Sequence, residues 1–134
     1  MHKQNEYPIT LQVTHDILAV CRLSPDDKLP QWINIEKSKF ISITKTDEEL
    51  SIVCDQSIVD ENVKAEKGWR MLRIKGQLDF SLVGILKRVI TPLSENGISI
   101  YAISTYDTDY ILIQEKQFEE AIERLMQFFK IEVL

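Results

Sequence analysis

The chain has 134 residues, of which 44% are hydrophobic and 28% are charged, and its formal net charge at pH 7 is −5. This length corresponds to one typical domain or two very small ones. The negative charge and the scattered Lys and Arg residues argue against a nucleic-acid partner. Since no apolar run approaches the ~18 residues of a membrane helix, we expect a cytoplasmic protein with no membrane partner.

The first half of the chain contains short strand-like segments separated by loops. Val20–Leu23 and Leu50–Val53 are mostly apolar and are predicted to be strands. The loop Ser24–Pro30 leads to a predicted stub of helix at Gln31–Ile35, and a turn is predicted around Gln56–Val59.

Two cysteines, Cys21 and Cys54, lie inside these apolar segments. We expect both to be buried as small hydrophobic residues in a reducing compartment, with a disulfide as the alternative if their strands are neighbours. The cysteines and the two histidines, His2 and His15, lack the short spacing of zinc ligands. The sequence therefore predicts no metal site and no cofactor.

The second half has a clearer pattern. Arg70–Lys75 alternates as a half-buried strand does, and after a loop the apolar residues recur with helical spacing. Asp79 or Ser81 is predicted to cap the start of this helix, and Asn96-Gly97 is predicted to end it. The apolar stripe of the helix consists of Leu82, Ile85, Leu86, Val89, Ile90 and Leu93.

The remaining elements complete a known arrangement. Ile98–Ser104 has apolar residues on both faces and is predicted to be a central strand. A hairpin turn at Thr105–Thr108 leads to a strand at Asp109–Ile113, a helix at Lys116–Phe129 and a closing strand at Ile131–Leu134. The order β-α-β-β-α-β predicts an α+β, ferredoxin-like fold.

The sequence pattern of the first half resembles that of the second half but is shorter. Placing Ile43–Asp47 on Ile103–Asp107 also places Leu50–Val53 on Tyr110–Ile113 without a gap. Chance similarity between two β-hairpins is the alternative explanation. We favour an internal repeat whose first copy is abbreviated.

Several runs resemble the CASTOR-like branch of the ACT-domain family, which includes small bacterial two-ACT proteins and amino-acid-binding members. These runs are Gly68-Trp69-Arg70, Gly76–Leu86 and Gly97–Leu112, with Leu50–Cys54 in the first copy. The resemblance implies two ferredoxin-like ACT domains in tandem.

The resemblance also implies a function and a domain division. Proteins of this kind are non-catalytic regulators that bind a small molecule, usually an amino acid, at the junction between ACT units, and the expected assembly is a homodimer. We place an abbreviated ACT-like domain at 1–62 and a full ACT domain at 68–134. The first copy departs from the family pattern because its loop carries Pro25 and Pro30 and no glycine.

The main candidate site is the loop and helix start that contain Gln77, Leu78, Asp79, Phe80, Ser81 and Gly84. Backbone N–H groups at a helix start carry partial positive charge and can bind a carboxylate without a basic side chain. Gly84 would allow a ligand to come close. The alternative is structural: Asp79 and Ser81 only cap the helix, and Gly84 only allows helix and sheet to pack.

A second candidate cluster contains Ser104, Thr105, Asp107 and Asp109. The two carboxylates are suited to an ammonium or guanidinium group, and the hydroxyls to hydrogen bonds with a ligand. Turn chemistry accounts for the same residues without a ligand. An acidic turn would suit arginine or lysine, although the residues do not specify the ligand.

Two other functions compete with this interpretation. Acylphosphatases share the ferredoxin-like topology, but the loop Gly76–Ser81 contains no cation to hold phosphate, and no Ser/His/Asp or Cys/His set is present. The more serious alternative is a protein-interaction or oligomerisation module without a ligand, with Ile131–Leu134 as its edge strand.

Overall fold

The computed structural model describes residues 7–134, so His2 lies outside the described residues. They form two compact units. The helical unit comprises residues 7–15 and 70–134, and the strand unit comprises residues 16–69.

These units do not coincide with the predicted ranges 1–62 and 68–134, because two long strands each contribute residues to both units. The strands are β1 (Thr10–Leu23) and β4 (Lys64–Ile74). Residues 63–67, which lie between the two predicted ranges, are therefore largely strand, and the start of the chain's first strand belongs to the helical unit.

The helical unit has the predicted order β-α-β-β-α-β, so its α+β, ferredoxin-like fold is confirmed. Its remaining strands are β5 (Ile100–Ser104), β6 (Asp109–Gln114) and β7 (Lys130–Val133). Within this unit β4 pairs with β6, and β6 with β5.

The predicted central position of β5 is wrong, because β5 is the last strand of this order and has β6 as its neighbour. Ala102 and Ser104 are exposed on one face. An apolar run in an edge strand resembles that of a central one, since the sequence does not reveal how many neighbours a strand has.

The closing strand β7 is confirmed, and it pairs in parallel with β1, from Thr10 opposite Lys130 to Val13 opposite Val133. The side chain of Gln12 joins this pairing, since its Nε2 donates to Glu132 Oε1 at 3.2 Å and its Oε1 accepts from Arg73. These hydrogen bonds tie the beginning and the end of the described chain into one unit.

The two helices are α1 (Ile85–Ser94) and α2 (Glu115–Leu125). Both are shorter than predicted: α1 begins three residues after Leu82, and α2 ends before Phe129. The predicted faces are nevertheless the buried ones, since Val89 and Leu93 of α1 and Leu125 of α2 are fully buried.

The end of α1 is confirmed at Asn96-Gly97. Gly97 has a φ of +71°, and the Ile98 N–H donates to the Leu93 carbonyl at 3.0 Å. The Gly97 N–H donates to the Ser94 carbonyl. This pair of bonds is the Schellman motif, for which glycine is preferred.

The strand unit contains β2 (Ser42–Lys45), β3 (Leu50–Asp55), the adjoining part of β1 and a 3₁₀ turn at Gln56–Ile58. Strand β3 pairs antiparallel with both β1 and β2. The predicted helical stub at Gln31–Ile35 is wrong, because this segment forms turns. Asn34 explains part of this, since its side chain accepts from the Lys37 N–H and competes with helical bonding.

Each unit contains one antiparallel hairpin with a four-residue loop, 46–49 in one and 105–108 in the other. Leu50 therefore corresponds to Asp109, one position away from the gapless sequence comparison. The buried residues Ile52, Val53 and Cys54 then match Ile111, Leu112 and Ile113. Each unit also has its own core.

Among residues 7–134, neither helix has the length and apolar character that crossing a membrane requires.

Candidate functional site

The two predicted clusters lie beside each other in the helical unit. The Leu78 N–H donates to the Asp107 carbonyl at 2.6 Å, which joins the loop after β4 to the β5–β6 hairpin. A cavity of about 350 Å³ lies at this junction. Of the predicted site residues, it is lined by Leu78, Asp79, Phe80, Gly84, Ser104, Thr105, Asp107 and Asp109.

Gln77 and Ser81 are the two predicted site residues that do not line this cavity. Sequence reasoning missed five residues that do: Leu82, Ile85, Leu86, Tyr106 and Thr108. All five lie within or directly beside the two predicted segments. Their positions were available from the sequence, but which side chains face the cavity depends on the path of the loop.

The hairpin is held by its threonines. The Thr105 N–H donates to the Thr108 carbonyl at 2.8 Å, and the Thr108 hydroxyl donates to the Ile74 carbonyl of β4 at 2.7 Å. Thr108 is only 5% exposed, so this hydrogen bond is protected from water. Buried side-chain bonds of this kind fix a turn relative to the strand beside it.

The loop before α1 is shaped by Asp79, but not as a helix cap. Its Oδ1 accepts from the Ser81 N–H at 2.8 Å, and its carbonyl accepts from the Leu82 N–H at 3.0 Å. The predicted capping of α1 by Asp79 or Ser81 is wrong, because the helix begins after Gly84, which has a φ of +79° and makes no side-chain capping bond.

Three carboxylates, those of Asp79, Asp107 and Asp109, line the cavity, and no Lys, Arg or His of residues 7–134 does. The hydrogen bond from the Ser81 N–H, with a further one from its hydroxyl, lowers the pKa of Asp79. The Ser104 hydroxyl donates to Asp109 Oδ1. The electrostatics of the cavity therefore favour a cationic group.

A positive element lies at the same cavity. Ile85 and Leu86, which line it, form the first turn of α1. The first backbone N–H groups of a helix have no partner within the helix and carry the positive end of its dipole. Carboxylates and helix amides together are suited to a molecule with both an anionic and a cationic group.

Two aromatic rings lie at the rim of the cavity. Phe80 is 74% exposed and Tyr106 is 80% exposed, and their ring centroids are 5.0 Å apart in an edge-to-face arrangement. Large aromatic side chains with this exposure are typical of surfaces that become covered by a ligand or a partner.

The cysteines lie elsewhere, in the core of the strand unit. Both are buried and neither forms a disulfide, although their strands are neighbours. The hydrogen bond between the two thiols lowers the pKa of Cys21 and raises that of Cys54. In residues 7–134 no group of three His, Cys, Asp or Glu side chains is placed to hold a metal ion.

Comparison with known proteins agrees with this fold. The family model of the ACT domain matches residues 64–127, and a second model, of an N-terminal domain, matches residues 16–62. A crystal structure of an Agrobacterium tumefaciens protein is 32% identical, with a TM-score of 0.87 over 96% of this chain and 95% of that one.

Two human proteins are also similar. The protein CASTOR3P is 31% identical over 127 residues, which cover 84% of this chain and 78% of CASTOR3P. The cytosolic arginine sensor for mTORC1 subunit 1 is 30% identical over 106 residues, or 71% of this chain. The match covers 32% of that sensor's length. These matches show that the chain belongs to the ACT-domain family, in its CASTOR-like branch.

Proposed function

We propose that this chain is a non-catalytic regulatory protein of the cytoplasm that senses an amino acid with a cationic side chain. The ligand binds between the loop and helix start at 77–84 and the hairpin at 104–109. An ACT unit of a second copy covers it in a homodimer, and no cofactor takes part.

The observation that carries this proposal is the cavity of about 350 Å³ where the two segments meet. Pockets for small molecules typically have volumes of about 300–1,000 Å³. The cavity lies at the lower end of this range and is large enough for an amino acid. No His, Cys or Lys of residues 7–134 lines the cavity, and these side chains are the ones that often serve as general base or nucleophile, which favours binding over reaction.

The charges suggest how the ligand is oriented. Its α-carboxylate would bind the free amides at the start of α1, next to Gly84, where no side chain obstructs the approach. Its cationic end would bind the carboxylate of Asp107, which forms no hydrogen bond or ion pair within residues 7–134. Asp79 and Asp109 add negative potential nearby.

The relatives support this ligand class. The curated human relative is named as a cytosolic arginine sensor, and its name also supports a cytoplasmic location. This chain spans about a third of that relative's length, so the ligand and the assembly are proposed here on the cavity's own chemistry. The exposed pair Phe80 and Tyr106 supports a covering partner, which the proposed homodimer supplies.

Calorimetric titration with three related compounds tests the ligand. L-arginine carries both charges, L-citrulline has the same shape without the side-chain charge, and agmatine lacks the α-carboxylate. We expect L-arginine to bind at least about tenfold more tightly than either analogue, because each analogue loses a charge-assisted interaction. Equal binding of L-arginine and L-citrulline would contradict the assigned role of the carboxylates.

A matched pair of variants tests whether Asp107 binds the cationic end of the ligand. Asp107→Asn should weaken L-arginine binding about tenfold and leave L-citrulline binding unchanged. Glu48→Gln removes one negative charge at the corresponding position of the other hairpin, and it should change neither affinity.

A protein-interaction or oligomerisation module without a ligand is the second candidate, and the exposed Phe80 and Tyr106 favour it. A thermal-shift screen of all common amino acids separates the two functions. A ligand at a hundredfold excess over its Kd stabilises a protein by about 2.7 kcal/mol, which is a shift of several degrees. If no amino acid shifts the Tm, and Phe80→Ser with Tyr106→Ser dissociates an oligomer in light scattering, the interaction module is correct.

A further inference from the structure

A second cavity of the helical unit lies outside the proposed amino-acid site. It is a groove of about 810 Å³ along α1 and the chain that follows α2, in the helical unit. We call it the interhelix groove. Six of its lining residues determine what it can bind: Val83, Lys87, Arg88, Pro92, Arg124 and Phe128.

The groove has apolar walls that face water. Val83 is 68% exposed and Phe128 is 65% exposed, although both are large hydrophobic residues. Phe128 lies in the turn after α2, and its ring is 6.2 Å from that of Phe129, measured between centroids. Exposed apolar side chains that converge on one concave surface indicate that something apolar binds there.

The groove is also cationic, in a chain whose net charge is −5. Among residues 7–134, Lys87, Arg88 and Arg124 line it, together with one acidic residue, Glu95. Arg88 is held in place, since its Nη1 donates to the Tyr7 carbonyl at 2.8 Å. Positive charge at this surface runs against the overall charge of the protein, so it selects for an anionic occupant.

From these observations we infer that the interhelix groove binds a small organic anion with an apolar body, such as an aryl or acyl carboxylate or sulfonate. The apolar body packs on Val83, Pro92 and Phe128, and the anionic group binds Lys87 and Arg124. A two-fold contact with a second copy through this groove is disfavoured, because it would bring together two surfaces of the same net positive charge.

This site is chemically the opposite of the amino-acid site. Of the side chains that the structure describes, three carboxylates and no cation line the amino-acid site, whereas three cations and one carboxylate line the groove. Gly84 lines both cavities. The two sites should therefore prefer different ligands, and the inference does not depend on the proposed amino-acid ligand.

Two fluorescent probes with the same rings test the inference. 8-Anilinonaphthalene-1-sulfonate carries an aromatic body and one anionic group, and N-phenyl-1-naphthylamine has the same rings without the sulfonate. We expect the sulfonate to bind the full-length protein with one site per chain, at least about tenfold more tightly than the neutral compound.

Variants locate the binding site. Lys87→Gln combined with Arg124→Gln should weaken sulfonate binding at least about tenfold and leave the neutral compound's affinity unchanged. Lys116→Gln, at an exposed position of α2 outside the groove, should have no effect. Phe80→Ala, at the rim of the other cavity, should also have no effect. Circular dichroism and Tm confirm that each variant folds.

Three results would overturn the inference: equal affinity for the two probes, an unchanged sulfonate affinity in the double variant, or a loss of binding in Phe80→Ala. A negative result for the groove would not affect the interpretation of the arginine titration, because that experiment reports on carboxylates at a different cavity.

Discussion

The two hairpins of this protein have the same loop length and similar turn bonding but different surroundings. In the strand unit the Thr46 N–H donates to the Glu49 carbonyl, just as the Thr105 N–H donates to that of Thr108. The corresponding carbonyls of Glu48 and Asp107 differ in their partners. Glu48 accepts from the guanidinium of Arg22 at 3.0 Å, whereas Asp107 accepts from the backbone of Leu78.

This difference follows from the loops that precede the hairpins. After β1 the chain closes on itself at once, since the Asp27 N–H donates to the Ser24 carbonyl and the Ser24 N–H donates to the Asp27 carboxylate. After β4 the loop extends to the hairpin before α1 begins. A hairpin alone is therefore an ordinary turn, and it becomes part of a cavity only where a loop and a helix start lie beside it.

The largest difference expected between the units concerns their helices. Leu125→Ala should lower the free energy of unfolding by about 3 kcal/mol, because Leu125 of α2 is fully buried and the change leaves a cavity. Ile58→Ala, in the 3₁₀ turn of the strand unit, should cost less, about 1–2 kcal/mol, because Ile58 is only half-buried where it packs against the core of that unit. Urea denaturation measures both, and equal losses would contradict the comparison.

The next effect concerns the hydrogen bond that fixes the hairpin of the helical unit. Thr108→Val keeps the side-chain shape but leaves the Ile74 carbonyl without its hydroxyl donor, which should cost about 1–2 kcal/mol. Glu49→Gln, at the corresponding half-buried position of the other hairpin, should change stability by less than about 0.5 kcal/mol, because within residues 7–134 the Glu49 side chain makes no hydrogen bond or ion pair like that of Thr108. Thermal or urea unfolding measures both variants. Comparable losses in the free energy of unfolding would show that side-chain hydrogen bonds fix the two hairpins to a similar extent.

The smallest effect is a titration. Because the Ser81 N–H and hydroxyl bind the Asp79 carboxylate, the pKa of Asp79 is lower in the folded protein than in the unfolded chain. The contribution of this turn to stability is therefore present above the unfolded pKa and is lost as the pH falls through the folded pKa. Carbon-13 NMR of the carboxyl group should give a midpoint below the ordinary aspartate value, and Ser81→Ala should raise it. An unchanged midpoint in Ser81→Ala would show that the Ser81 hydroxyl does not lower the pKa of Asp79.

Local patterns in the sequence were enough for much of the helical unit. The apolar run of β6, the stripe with Val89 and Leu93, and the helix end at Gly97 all depend on neighbours within a few residues. The same holds for the hairpin at 105–108. Most of the candidate site was predicted for this reason, since its residues lie in two short segments whose chemistry is local.

Contacts between distant residues were decided by the tertiary structure. The pairing of Thr10 with Lys130 gives the helical unit a strand from the start of the chain, and no local pattern indicates it. The edge position of β5 and the late start of α1 likewise depend on which strands and loops lie beside them. Periodicity determines which face of an element is apolar, whereas neighbours are chosen by packing across the whole chain.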